Sequence, residues 1–109
     1  MPFRNMGTLV LTLDGRIAFA GTYFSDLVGL THDKVAGKLW LDFVFSDDID
    51  AARELFEAAK LPHVDPVRFR LRRQDGTEVW TDIQAAHLEA RGGRIYAITA
   101  TITAANGNR

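Results

Sequence analysis

The sequence predicts an α+β domain, a five-stranded antiparallel sheet with short helices and one longer helix packed on one face. Three observations carry this expectation. The chain has 109 residues, 47% of them apolar and 25% charged, the size and balance of a single globular core. Strand-like runs stand at both ends of the chain and flank a polar, glycine-punctuated middle, which is an α+β order. Between Val67 and Arg73, apolar residues alternate strictly with arginines, as they do on a strand that buries one face.

In chain order, Asp14-Gly15 separates the apolar runs Leu9–Leu13 and Ile17–Ala20, which predicts a β-hairpin. Thr22 is placed to cap a short helix through Leu27 and Val28 that Gly29 closes. Thr31 caps a second short turn that ends at Gly37. Ser46 opens the longest helix. Asp47, Asp48 and Asp50 lie in its first turn and Lys60 in its last, matching the helix dipole at both ends. Ala52, Leu55, Phe56 and Ala59 form one apolar stripe along it, and Pro62 and Pro66 end it. Strands follow over Val67–Arg73, Thr77–Glu89 and Arg94–Thr103, with turns at Asp75-Gly76 and Gly92-Gly93. The domain is expected over residues 8–103, with 1–7 as an N-terminal extension and 104–109 as a tail.

The register of the second hairpin follows from which face each residue must occupy. A two-residue turn at Asp75-Gly76 would set Phe69 against Asp82 and put a carboxylate on the apolar face. A three-residue loop, Gln74-Asp75-Gly76, pairs Leu71 with Val79, Phe69 with Thr81 and Val67 with Ile83. It also sets Arg72 opposite Glu78, Arg70 opposite Trp80 and Arg68 opposite Asp82. A slip of one residue turns a strand over, so the three-residue loop is the expected one.

Several segments together resemble a PAS domain. They are Asp14-Gly15-Arg16-Ile17, Gly29, Val35-Ala36-Gly37, Trp40-Leu41-Asp42-Phe43-Val44, Ser46-Asp47-Asp48, and the run from Arg70 through Asp75-Gly76 to Trp80. The chain departs from the family pattern at three places. Phe45-Ser46-Asp47-Asp48 stands where His-Pro-Asp-Asp is common, Gly21 or Thr22 where an asparagine is, and Thr101-Ile102-Thr103 where Asp-Ile-Thr is. The resemblance implies a five-stranded sheet facing helices across a pocket, in a sensory or protein-interaction module of signal transduction, two-component systems included. It further implies a homodimer, and an output domain (kinase, cyclase or transcription regulator) in a longer parent or in trans.

The inward set expected to line the pocket is Phe19, Trp40, Phe43, Leu55, Phe56, Phe69, Thr81, Ile83 and His87. Its bulk argues for a filled interior. An empty apolar cavity of about 300 Å³ would cost about 7 kcal/mol, against a total stability of about 5–15 kcal/mol. A modest pocket for a small ligand and a featureless visible spectrum are expected. The expected dimer face is the outer side of the sheet, with Arg70, Trp80, Tyr96 and Ile98, and Ile102 in line with them.

Other chemistries find little support in the residues. Cysteine is absent, which excludes thiolate metal sites and LOV-type cysteinyl flavin chemistry and fits a cytoplasmic location. No histidine lies between Asp47 and Lys60, where haem-binding members of the family take their axial ligand, so haem is not expected. His87 reads as a buried neutral histidine bonded to a backbone group. Asp47, Asp48 and Asp50 read as a helix start and His63-Val64-Asp65 as an exposed loop, so no metal is expected. Ser25 and Ser46 lack a nucleophile elbow, and Gly37-Lys38 is not a phosphate loop. Arg68, Arg70, Arg72 and Arg73 read as a solvated strand face balanced by Asp82 and Glu78. A net charge of −1 and the lack of a long apolar run give no reason to expect nucleic acid or membrane as a partner.

The expected function is therefore a non-catalytic regulatory module that binds a small ligand, dimerises, or does both. The alternative is a small α+β enzyme with an acid in a cone-shaped pocket, which requires Asp42 or Asp82 to face inward.

Overall fold

The computed structural model describes residues 6–62 and 64–105. His63, most of the N-terminal extension (1–5) and most of the tail (106–109) lie outside the described residues. The elements are β1 (Met6–Leu11), β2 (Ile17–Ala20), α1 (Thr22–Val28), α2 (His32–Val35), α3 (Ile49–Ala58), β3 (Val67–Arg72), β4 (Glu78–Glu89) and β5 (Ile95–Ala104). Two 3₁₀ turns, Trp40–Phe43 and Ser46–Asp48, lead into α3. The strands form one antiparallel sheet in the order β2-β1-β5-β4-β3. The longest helix starts later than Ser46 because a 3₁₀ turn occupies Ser46–Asp48. Its stripe of Ala52, Leu55, Phe56 and Ala59 is buried as expected.

All three hairpin turns have the same build. In each, an N–H near the end of one strand donates to a carbonyl four residues on, and a glycine N–H closes the loop. The pairs are Thr12–Arg16 with Gly15, Arg73–Thr77 with Gly76, and Ala90–Arg94 with Gly93. These glycines have φ of +87°, +89° and +87°, the left-handed position that ends a three-residue loop. The β3–β4 register is the predicted one, with Arg70 opposite Trp80 and Phe69 opposite Thr81.

Two edges of the sheet are closed by the helical middle of the chain. At β2, Ile17 exchanges backbone bonds with Lys38 and Gly37 (2.8 Å each). At β3, the Phe45 N–H donates to the Arg70 carbonyl (3.0 Å), and Val44 bridges to Leu71. Covering an edge in this way removes the unpaired backbone groups that would template aggregation.

Two placements differ from the sequence expectation. Phe19 is 49% exposed on the outer face instead of lining the interior. The pairing of β1 with β2 skips Ala18, so that Leu9 faces Ala20 and Val10 faces Phe19; the bulge turns Phe19 out and leaves Ile17 and Ala20 inside. Ile98 and Ile102, expected on the outer face, are buried at 1% and 0%. Their partners are His87 and Ile83, so pairing with β4 assigns them to the apolar side. Tyr96 sits at a second bulge, between the pairs Leu88–Ala97 and Glu89–Ile95, and remains 50% exposed.

Substituting Gly76 by alanine tests the loop geometry. No atom lies within 4 Å of a Cβ built there, so the cost is one of backbone conformation alone. Urea denaturation of Gly76→Ala should show a loss of about 1–2 kcal/mol at an unchanged m-value.

Candidate functional site

The space between sheet and helices is filled by aromatic rings. Trp40 lies 6.0 Å from Phe69 and 6.4 Å from Phe56, and Phe24 meets Phe43 edge to face at 5.8 Å. Leu55, Ile83, Val28 and Ile98 complete this cluster. Of the predicted inward set, Trp40, Phe43, Leu55, Phe56, Phe69, Thr81 and Ile83 come together here. The Thr81 hydroxyl, fully buried, donates to the Phe69 carbonyl at 2.8 Å. Its hydrogen is thus engaged within the sheet. The Ser25 hydroxyl on α1 is buried without a hydrogen-bond partner among the described residues.

His87 is bonded to a backbone group, as the sequence suggests, but it is neither fully enclosed nor limited to that one partner. It is half-buried, and both ring nitrogens face acceptors: Nδ1 is 2.9 Å from the Ala59 carbonyl and Nε2 is 2.8 Å from the Glu89 carboxylate. Only the imidazolium can donate to both at once. The Ala59 carbonyl and then Glu89 accordingly raise its pKa above the ordinary 6.5. This ring ties the C-terminal end of α3 to β4.

The strongest polar site lies at the other end of α3. Asp48 accepts from the Arg70 backbone N–H (2.8 Å), from Nε (2.8 Å) and from Nη2 (2.9 Å). The guanidinium is sandwiched between two rings, 4.4 Å from the Phe45 centroid and 4.8 Å from that of Trp80. Glu78 reaches the same guanidinium at 3.5 Å, while Arg68 pairs with Asp82 at 2.7 Å. The hydrogen bonds from Arg70 hold the Asp48 carboxyl below its ordinary pKa. The hairpin register predicts Arg70 opposite Trp80, whereas Asp48 and Phe45 join them from more than twenty positions away along the chain. The sequence signal for Asp48 is the aspartate pair at a helix start, which by itself indicates only a cap.

No acid of the enzyme alternative reaches the interior. Asp42 is exposed, and Asp82 lies on the outer face in its pair with Arg68. Among the described residues, no group of three or more metal-ligating side chains converges, and no helix is long and apolar enough to cross a membrane.

A five-stranded antiparallel sheet with a helical middle folded over one face, closed at both edges by that middle, defines a single-sheet α+β module. The comparison with known proteins is specific: the sequence matches the PAS domain family over residues 5–103, and the chain belongs to that family. It is 30% identical over 94 residues to the C4-dicarboxylate transport sensor protein of Rhodobacter capsulatus, covering 82% of this chain but only 14% of that protein. In fold it is similar to a PAS domain from Colwellia psychrerythraea (TM-score 0.84, 14% identity, 92% of this chain and 86% of that one). It is also similar to the PAS-B domain of Drosophila melanogaster Cycle with bound ethylene glycol (TM-score 0.77, 14% identity, 91% and 99%).

Two titrations follow from these contacts. Asp48→Ala should cost about 2 kcal/mol, the value of charge-assisted hydrogen bonds in a covered site, in chemical denaturation at neutral pH. Because its folded pKa is depressed, the contribution of Asp48 is complete above the ordinary 3.8 and is lost as pH falls through the lower folded value, so the gap between parent and variant should close in acid. His87 has the opposite sign. Its contribution is complete below 6.5 and is lost as pH rises through the raised folded value. The melting temperature of His87→Gln should fall furthest below that of the parent at mildly acid pH and rejoin it at alkaline pH.

Proposed function

We propose that this domain is a regulatory sensory and interaction module of a longer signalling protein, and that it works by pairing its outer sheet face with a second copy. The observation that carries this reading is the absence of charge from most of that face. Met6, Thr8 and Val10 on β1, Phe19 on β2, and Ala97, Thr99, Thr101 and Thr103 on β5 point outward, continued by Gln84, Ala86 and Leu88 on β4. The charges gather instead along β3 and the start of β4, where Arg68 pairs with Asp82 and Arg70 with Asp48 and Glu78. A sheet face meant for water is normally dressed with charged side chains, whereas a neutral face of threonine, alanine and exposed Phe19 suits close approach by another sheet.

The face differs in composition from the one the sequence suggests. Ile98 faces the core, Arg70 is held by Asp48, and its guanidinium covers the Trp80 ring, so the contact moves from β3 toward β1 and β5. The aromatic packing of the interior favours contact between proteins over a large enclosed cofactor as the means of signalling. The match to a fragment of a transport sensor supports a longer parent that carries the output.

Sedimentation equilibrium of the chain at high micromolar concentration tests this. The parent should be dimeric, and Thr101→Arg, which sets a charge at the centre of the face opposite Thr8 and Gln84, should weaken the dimer roughly a hundredfold without unfolding the domain. A parent that sediments as a clean monomer overturns the reading.

A further inference from the structure

Sorting the cations by their partners isolates one cleft. Among the described residues Arg16, Arg53, Lys60, Arg68 and Arg70 each pair with a carboxylate, at 2.7–3.8 Å. Lys34, Lys38, Arg72, Arg73, Arg91 and Arg94 show no such pair; Arg91 and Arg94 flank the β4–β5 turn, whereas the other four line a single cleft of about 330 Å³ between α2, the Trp40–Phe43 turn and the end of β3. Asp42 is the one carboxylate in that lining, and Phe43 contributes an apolar wall. Cross-strand Glu78, which the register sets opposite Arg72, turns to Arg70 instead.

The two arginines are held in place by neutral acceptors. Arg72 Nη2 donates to the Asp42 carbonyl at 2.6 Å and Arg73 Nη1 to the Thr77 hydroxyl at 3.4 Å, which leaves the other guanidinium N–H groups available. The acids next to the cleft in sequence are engaged locally, Asp33 by the Thr31 hydroxyl (2.6 Å) and Asp75 by the Thr77 N–H and hydroxyl (3.0 and 2.6 Å). Four cations against the one carboxylate of the lining, Asp42, make a local excess of positive charge on a chain whose net charge is −1. Asp33 next to Lys34 and Asp75 near Arg73 offset it in part from beside the cleft. Like charges held together repel, and a bound anion relieves that repulsion. A single negative charge would leave the lining positive, so the arrangement suits an anion of higher charge, and the forked guanidinium fits phosphate and carboxylate alike.

We propose that this cleft binds a small anion carrying two or more negative charges, with its charged groups on Lys34, Lys38, Arg72 and Arg73 and any carbon skeleton against Phe43. The site shares only Phe43 with the aromatic interior and uses no residue of the neutral sheet face, so it stands whether or not the domain dimerises.

The test is calorimetric and NMR titration of the chain at low salt with pyrophosphate and with succinate, with acetate as the singly charged control. Saturable binding of pyrophosphate alone assigns a phosphate ligand, and of succinate alone a dicarboxylate. Binding of both shows selection by charge. In each case acetate should bind roughly tenfold or more weakly. Lys34 and Lys38 are exposed, so the double substitution Lys34→Ala with Lys38→Ala should keep the parent melting temperature yet weaken binding about tenfold, while Asp42→Asn should tighten it several-fold. Thr101→Arg, monomeric or not, should bind as the parent does. The proposal is overturned if neither dianion saturates by about 10 mM, or if the lysine and Asp42 variants bind like the parent.

Discussion

The pairing of Asp48 with Arg70 is the constraint on which much of this fold rests. One carboxylate accepts three hydrogen bonds from one residue, and one of these comes from the backbone, so it acts both as an ion-pair partner and as a substitute for a neighbouring strand. Together with the Phe45 N–H on the Arg70 carbonyl, it seals the edge of β3 and sets where α3 begins. The start of α3 in turn aims Leu55 and Phe56 at the sheet, where Phe56 meets Trp40. The guanidinium closes the arrangement by filling the gap between Phe45 and Trp80. Arginine suits this place better than lysine, since its planar head stacks on two rings while its edge meets a carboxylate.

This interaction also divides the surface. The charges it gathers, Arg70 with Asp48 and Glu78, lie at one side of the sheet, while β1 and β5 carry no charged residue in their sequence. It leaves Arg72 without its cross-strand acid, beside the two lysines of the α2 region. The cationic cleft therefore owes Arg72 to this choice of partners, and the neutral face follows from the composition of β1 and β5. The interior is occupied by rings whose removal would each open a cavity, so binding events are better accommodated at the surface than in the core.

The fold was largely legible in the sequence. The alternation of Val67, Phe69 and Leu71 against three arginines, with glycine at the left-handed end of the loop, specified the β3–β4 register. The stripe of Ala52, Leu55, Phe56 and Ala59 specified which side of α3 is buried. These signals are local: the period of side chains along one element, and the φ that a single turn position demands. Position 19 escaped such reasoning because one extra residue in β2 reverses the facing of all that follow on that strand, and nothing in Ile17–Ala20 announces a bulge. Ile98 escaped because the face of β5 depends on its pairing with β4 rather than on its own pattern of isoleucine, alanine and threonine.

The sequence by itself therefore determined the elements, their order, the turn chemistry and most of the core, since each depends on residues a few positions apart. Apart from Arg68 with Asp82, which the β3–β4 register already sets opposite each other, only the tertiary structure decided how the charges are partnered. That Asp48 takes Arg70, that His87 bridges Ala59 and Glu89, and that Lys34, Lys38, Arg72 and Arg73 line one cleft are all outcomes of packing. A charge has no periodicity to betray its partner. Its energy depends on distance through space, and segments far apart in sequence acquire that distance only when the helical middle of the chain folds onto the sheet.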